Sequence, residues 1–320
     1  MNIKSLVQSA RKIWLSTHIS ADGDGLGSEM AFYYALKKSG YDVSIIHNDL
    51  TPPRYEFLTS GIEIWAANET TGQSMSEKDL CFIFDTHDPK LCQPLLGHLM
   101  KANMQVVFVD HHISSKSPLA RCHFHIDENA SCTGELALDL IESLGIELDI
   151  NVASCLYTSL IFDTQNFKNM RNPIKVFRMA EKLIEAGADH KFLNRALFEN
   201  WTINKFNYLS KLIKSVTYKN NDTAIICISK KDLSEFNLSP DEVSDLVDLF
   251  MGLKNLNVSI VIREESNNFF KLSFRSRKNE ILSWAREFGG GGHLHSAGAW
   301  VTASESQIID KINFLIQKSS

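Results

Sequence analysis

A chain of 320 residues is too long for one small core and suits two domains of ordinary size. Its 44% hydrophobic and 22% charged content is that of a soluble globular protein, and no apolar run reaches the roughly 18 residues that a transmembrane helix needs. A net charge of −5 gives no strong field for a long polyanion, which speaks against long duplex nucleic acid or a membrane as partner.

Met1 to Ser16 carries Lys4, Arg11 and Lys12 but no apolar core of signal-peptide length, so a cytoplasmic location is expected. The strand-like Lys12–Thr17 runs into His18-Ile-Ser-Ala-Asp22-Gly-Asp24, followed by a helical stretch from Leu26 to Lys38 and a strand at Val43–His47. Leu80–Phe84 reads as a strand ending at Asp85, and Gln105–Val109 as one ending at Asp110-His111-His112. His123 and His125 alternate along Arg121–His125, and Gly134–Leu144 is helical. Cys155–Phe162 is strand-like before Asp163, although Asn151–Phe162 is also compatible with a buried helix, a choice that periodicity alone leaves open. Pro173–Ala186 is a helix stopped by Gly187, and Phe192–Val216 reads as one long helical connector. Beyond it come Thr223–Ser229, Pro240–Met251, Val258–Arg263, the alternating Phe270–Arg275, a helix over Ile281–Phe288 and the run Gly289–Gly292 before His293. Six cysteines without a Cys-x2-Cys pair suggest reduced structural thiols and exclude a zinc ribbon.

Alternating strands and helices in the first half indicate a parallel sheet with helices on its faces. In such sheets, residues just past the carboxyl ends of the strands converge on one crevice, so the four acidic segments are expected to form one site. Two unit charges about 4 Å apart repel by roughly 4 kcal/mol at an effective dielectric near 20. Divalent cations are the obvious remedy, and a carboxylate-rich set with imidazole leans toward manganese, with magnesium or cobalt as substitutes. Two such metals, sharing one carboxylate, would activate water for phosphoester hydrolysis. In the second half, glycines let backbone N–H groups approach an anion, and Arg275 can grip phosphate through its guanidinium.

These residues resemble the DHH phosphoesterases with a C-terminal DHHA1 domain, in the stand-alone nanoRNase and pAp-phosphatase branch. The likeness rests on His18-x3-Asp22-Gly-Asp24-x2-Gly27-Ser28, Asp85-Thr86, Asp110-His111-His112, Asp163-Thr164, Ser273-Phe-Arg275-Ser276 and Gly289-Gly-Gly-Gly-His293-x3-Ala297-Gly298. It implies one metal held by His18, Asp22 and Asp85, and a second held by Asp24, Asp85, His111 and Asp163, with Asp85 as the bridge. His112 would face the scissile phosphate, while Arg275, Gly291, Gly292 and His293 hold the nucleotide. The chain departs from the family pattern at Ala21, at Ser131-Cys132-Thr133 and at His87-Asp88-Pro89-Lys90, where small residues and an arginine are usual. His295 has no place in that pattern, and the other histidines, His87 included, are read as structural or exposed.

The resulting expectation is an α/β protein: a parallel-sheet DHH catalytic domain over residues 1–188, a helical connector over 189–218 and a smaller α/β DHHA1 domain over 219–320, with the active site in the interdomain cleft. The implied activity is hydrolysis of short oligoribonucleotides to nucleoside monophosphates, and of 3′-phosphoadenosine 5′-phosphate (pAp) to AMP, by a homodimeric enzyme using two Mn²⁺ ions. A signalling phosphodiesterase acting on cyclic di-AMP or pApA needs the same metals and clamp. A nucleotide sensor without turnover is the reading from another class, and the complete ligand set speaks against it.

Overall fold

The computed structural model describes residues 3–68, 71, 75–113 and 121–319. The chain divides into two compact units, one up to Asn200 and one from Trp201 onward.

The first unit is built on a sheet of six parallel strands: β1 (Ile13–Thr17), β2 (Val43–His47), β3 (Ile64–Ala66), β4 (Leu80–Phe84), β5 (Gln105–Asp110) and β6 (Cys122–Ile126). Their order is β3-β2-β1-β4-β5-β6, so the direction of winding reverses between β1 and β4. Strands buried on both faces read as unbroken apolar runs, and every residue of β1 and β4 is buried. Alternate side chains serve opposite layers. Leu15, Phe82, Phe84 and Val107 pack under the helices Gly23–Lys38, Thr133–Ser143 and Ile150–Asp163. Trp14, Cys81, Ile83 and Phe108 pack on the other face with Leu95, Leu96 and Leu99 of the helix Leu95–Lys101.

Cys155–Phe162 is not a strand. It lies in the helix Ile150–Asp163, capped by the Asp149 side chain, with nine residues from Val152 to Ile161 buried. A helix covered nearly all round has no polar face, and its sequence therefore looks like that of a buried strand. This helix lies close against Gly23–Lys38 because position 27 is glycine: a Cβ there would stand 2.6 Å from the Cys155 carbonyl oxygen and 2.8 Å from the Ser159 nitrogen.

The segment read as one connector is two helices, His190–Phe198 and Ile203–Ser215. Leu193 and Leu197 of the first belong to the core of the first unit, whereas Tyr208 and Leu212 of the second belong to that of the second. The Thr202 hydroxyl caps the second helix by accepting from Lys205 N–H at 3.1 Å.

The second unit carries a mixed sheet of β7 (Thr217–Lys219), β8 (Thr223–Ile228), β9 (Val258–Ser266), β10 (Phe269–Ser276), β11 (Gly291–Gly292) and β12 (Ser296–Thr302), ordered β11-β12-β10-β9-β8-β7. Only β8 and β9 run parallel among these neighbours. One face packs under Leu282–Glu287 and Glu305–Ser319 through Phe270, Leu272, Phe274, Ile308 and Ile312. On the other, Ala224, Ile226, Ile228 and Val261 meet Tyr208, Leu246 and Phe250. Among the described residues no helix is long and apolar enough to cross a membrane.

Candidate metal centre

The site gathers at the carboxyl ends of β1, β4 and β5, where the strand order reverses and ligands of open α/β sheets bind. The Asp22 side chain caps the helix Gly23–Lys38 by accepting from Asp24 N–H at 3.0 Å and Gly25 N–H at 3.2 Å. Asp24 then sits in the first turn of that helix, 1% exposed. Asp85 follows β4 in a left-handed backbone conformation, φ 63°, while its N–H donates to the Val109 carbonyl at 2.8 Å. A non-glycine residue held there stores strain, and such residues cluster at functional sites.

All six residues assigned to the metals come together, in two groups. His18 Nε2 lies 3.4 Å from Asp85 Oδ2 and 3.9 Å from Asp22 Oδ1. His111 Nε2 lies 3.4 Å from Asp24 Oδ2, 3.5 Å from Asp163 Oδ2 and 3.7 Å from Asp85 Oδ1. In each of the sets His18/Asp22/Asp85 and Asp24/His111/Asp163, the donor atoms lie within 4.8 Å of one another. Asp85 turns one oxygen toward each set, as a bridging carboxylate must.

The electrostatics fit divalent cations. Burial, with Asp24, Asp22, Asp110 and Asp163 adding repulsion, holds the Asp85 carboxyl well above the ordinary range. Burial pushes Asp24 up to about 6 against hydrogen bonds from Ser159 and from Thr133 N–H, and burial together with Asp24 pushes Asp163 up to about 8. Carboxylates that resist ionisation until a cation arrives are what an oxygen-rich, hard-cation site looks like without its charge.

Asp110 does a different job from that of a ligand. Its Oδ1 accepts from the backbone N–H of His111 at 2.7 Å and of His112 at 3.1 Å, and pairs with His112 Nδ1 at 2.6 Å. Its Oδ2 takes a short hydrogen bond from His87 Nδ1. Against the effect of burial, the bonds from His112 and His87 keep Asp110 far below the usual carboxylate range. His112 moves the other way: burial opposes its charge, but the bond to Asp110 and the charge on Asp110, Asp163 and Asp24 raise it to about 9. In the metal-free protein these contacts favour the protonated imidazole.

Several supporting residues escaped the sequence reading. His87, taken as structural or exposed, is buried against Asp110. Thr133 donates from Oγ1 to Asp85 at 2.9 Å and from N–H to Asp24 at 2.8 Å, and Ser159 donates to Asp24 as well. Arg171 Nη1 donates to the carbonyls of His111 at 2.8 Å and Ala130 at 3.0 Å, pinning the loop that carries the histidine pair. Thr133 and His87 each carried a signal, as members of the Ser131-Cys132-Thr133 and His87-Asp88-Pro89-Lys90 departures from the family pattern, whereas Ser159 and Arg171 carried none. His123 stays out of the site and pairs with Gln105 Oε1 at 2.6 Å.

In the second unit, Arg275 projects from β10 and its Nε donates to Asp248 at 2.7 Å. Gly291 and Gly292 form β11, and His293 N–H donates to the Ser296 carbonyl at 2.7 Å across the turn into β12. Glycine is required at 292, where φ is 131° and a Cβ would meet the Ser296 oxygen at 2.6 Å. At Gly291 nothing lies within 4 Å of an added Cβ, so the surrounding fold does not demand that glycine. His295 is exposed, with Nδ1 3.2 Å from the Asn279 carbonyl.

Two family models match: the DHH family N-terminal domain over residues 12–160, and the DHHA1 domain over 220–318. A protein of Thermus thermophilus named bifunctional oligoribonuclease and PAP phosphatase NrnA is 25% identical over 293 residues, spanning 90% of this chain and 83% of its own. The Bacillus subtilis protein of the same name is 25% identical over 297 residues, spanning 90% and 88%. Among solved structures, an exopolyphosphatase-related protein of Bacteroides fragilis superposes with a TM-score of 0.88 at 22% identity, covering 99% of this chain and 94% of its own, which establishes the shared fold.

Proposed function

This chain belongs to the DHH family and carries a DHHA1 domain, and on that footing we propose that it is a manganese-dependent phosphoesterase that hydrolyses short oligoribonucleotides to nucleoside monophosphates and pAp to AMP. The observation that carries the reading is the pair of ligand sets meeting at Asp85, with one carboxylate oxygen turned to each. Names of relatives that join oligoribonuclease to PAP phosphatase support the substrate class.

His18, Asp22 and Asp85 would hold one divalent cation, and Asp24, Asp85, His111 and Asp163 the other. When bound, the pair supplies charge neutralisation and activation of the attacking water. Water adds to phosphorus, giving up one proton to solvent, and the bond to the leaving oxygen breaks. His112, oriented by Asp110 and protonated, stabilises the charge developing on the phosphoryl oxygens and supplies a proton to the leaving oxygen. Thr133 and Ser159 hold Asp24 and Asp85 in the orientation in which they would serve as ligands. Arg275, Gly291, Gly292 and His293 take the nucleotide phosphate.

The test is metal-free protein reconstituted with Mn²⁺ and given an RNA dinucleotide, a longer RNA, pAp and cyclic di-AMP at equal concentration. Turnover concentrated on the dinucleotide and pAp, abolished by Asp85→Ala and by His111→Ala, is expected. Preference for cyclic di-AMP would replace the scavenging role by signalling, and tight nucleotide binding without turnover would make the protein a sensor.

A further inference from the structure

On the face of the second-unit sheet away from Phe270, Leu272 and Phe274, β10 and β12 present a strip of half-buried residues, at one end of which Arg275 meets Asp248 of the helix Leu246–Phe250. Lys271, Ser273 and Arg275 alternate along it and are half-buried, opposite Trp300, Gly298 and Ser296 of β12. Gly291 of β11 lies opposite Gly298 on the far side. Ser273, Gly298 and Gly291 thus make a crosswise row with almost no side chain, floored by backbone and open above Gly291. Arg275 stands on one side of this row. Trp300 stands on the other, 42% exposed, stacked on Phe269 with ring centroids 5.5 Å apart and planes 14° apart, and with Lys271 Nζ 5.2 Å from its ring centre.

We propose that Trp300, backed by Phe269 and flanked by Lys271, is a base-stacking platform for the nucleotide next to the one whose phosphate Arg275 holds. This rests on the phosphoesterase reading above. An exposed indole held flat by a second ring offers a π-face to any base, and a lysine beside it matches a phosphodiester, which is how single strands are bound without regard to sequence. A purely apolar patch would favour another protein instead, but here Lys271 and Arg275, the latter oriented by Asp248, border a trough lined by Ser273 and two glycines. Lys271 and Arg275 are four strand residues apart, about 13 Å along β10. The base of a nucleotide anchored by its own phosphate at Arg275 falls short of that span, and the next base along the chain reaches it. The platform therefore separates oligonucleotides from pAp.

The experiment uses the full chain with Trp300→Ala, Trp300→Phe and wild type, in two assays. In the first, Mn²⁺-loaded enzyme is given a 5′-phosphorylated RNA trinucleotide and pAp. The expected result for Trp300→Ala is a rise in KM for the trinucleotide of roughly 5- to 150-fold, the equivalent of one lost base stack, with KM and kcat for pAp within about twofold of wild type. Trp300→Phe, which keeps a ring, should recover most of the loss. In the second assay, calorimetric titration of metal-free protein with the trinucleotide reads binding alone, and Trp300→Ala should weaken it by the same factor. Equal trinucleotide affinity in Trp300→Ala and wild type, or equal damage to pAp and trinucleotide, overturns the platform. Absence of turnover in wild type sinks the phosphoesterase reading, while the titration still decides the platform.

Discussion

The buried carboxylates make the stability of the metal-free protein depend on pH in a direction opposite to that set by an ordinary salt-bridged aspartate. Asp24 is 1% exposed, and its carboxyl is carried from an ordinary 3.8 to about 6. Ionising it in place costs about 3 kcal/mol, at about 1.4 kcal/mol per tenfold change in proton affinity. Below about pH 4 the group is protonated whether the chain is folded or not, and nothing is lost. As pH rises through 6 the unfolded chain releases the proton freely and the folded one resists, so stability falls across that window and stays low above it. The assay is urea or thermal unfolding of the first unit in metal-free protein from pH 4 to 7, comparing wild type with Asp24→Asn. Relative to its standing at pH 4, the variant should gain about 3 kcal/mol on wild type by pH 7, or roughly 6 to 12 °C in Tm for a unit of this size. Saturating Mn²⁺ should erase the fall in wild type, since a ligand of the folded state alone stabilises it. Parallel pH curves for the two proteins would refute the argument that burial of Asp24 outweighs its hydrogen bonds from Ser159 and Thr133.

Three further outcomes follow from the same geometry. Thr133→Val removes the hydroxyl bond to Asp85 but keeps the N–H bond to Asp24, and a calorimetric Mn²⁺ titration should show affinity reduced by roughly 10- to 100-fold with unfolding little changed. Gly27→Ala places a methyl 2.6 Å from the Cys155 carbonyl and must push apart the helices that carry Asp24 and Asp163, so chemical denaturation should show a loss of about 1 to 3 kcal/mol together with weaker metal binding. Asp110→Asn takes away the main cause of the raised His112, and the alkaline limb of the kcat profile should move to lower pH than in wild type. An unmoved limb would show that His112 is not the group being titrated.

The strands that present the ligands were legible because parallel strands covered on both faces are unbroken apolar runs; β1 and β4 end at Thr17 and Phe84 as read, and β5 runs one residue past Val109, to Asp110. Asp163 was placed in the site while its element was read as strand-like. Burial had removed from Ile150–Asp163 the polar face by which a helix is recognised. The break after Phe198 was missed although Thr202 is an N-cap residue, because the apolar positions on either side keep a helical spacing while serving different cores. His87 and Ser159 were beyond reach for another reason. Their partners, Asp110 and Asp24, lie 23 and 135 positions away, and pairings of that kind depend on the fold and not on local pattern.

Each unit has a sheet with a core on both of its faces, and every residue assigned to the metals lies in the first, whereas Arg275 and the glycine loop lie in the second. If the proposed function holds, chemistry and recognition would be written on separate stretches of sequence that can change independently. Substitutions along β10 and β12 would then retarget the protein to a different ligand without disturbing the arrangement of aspartates. Loss of one aspartate can leave a receptor that still recognises its ligand and no longer consumes it.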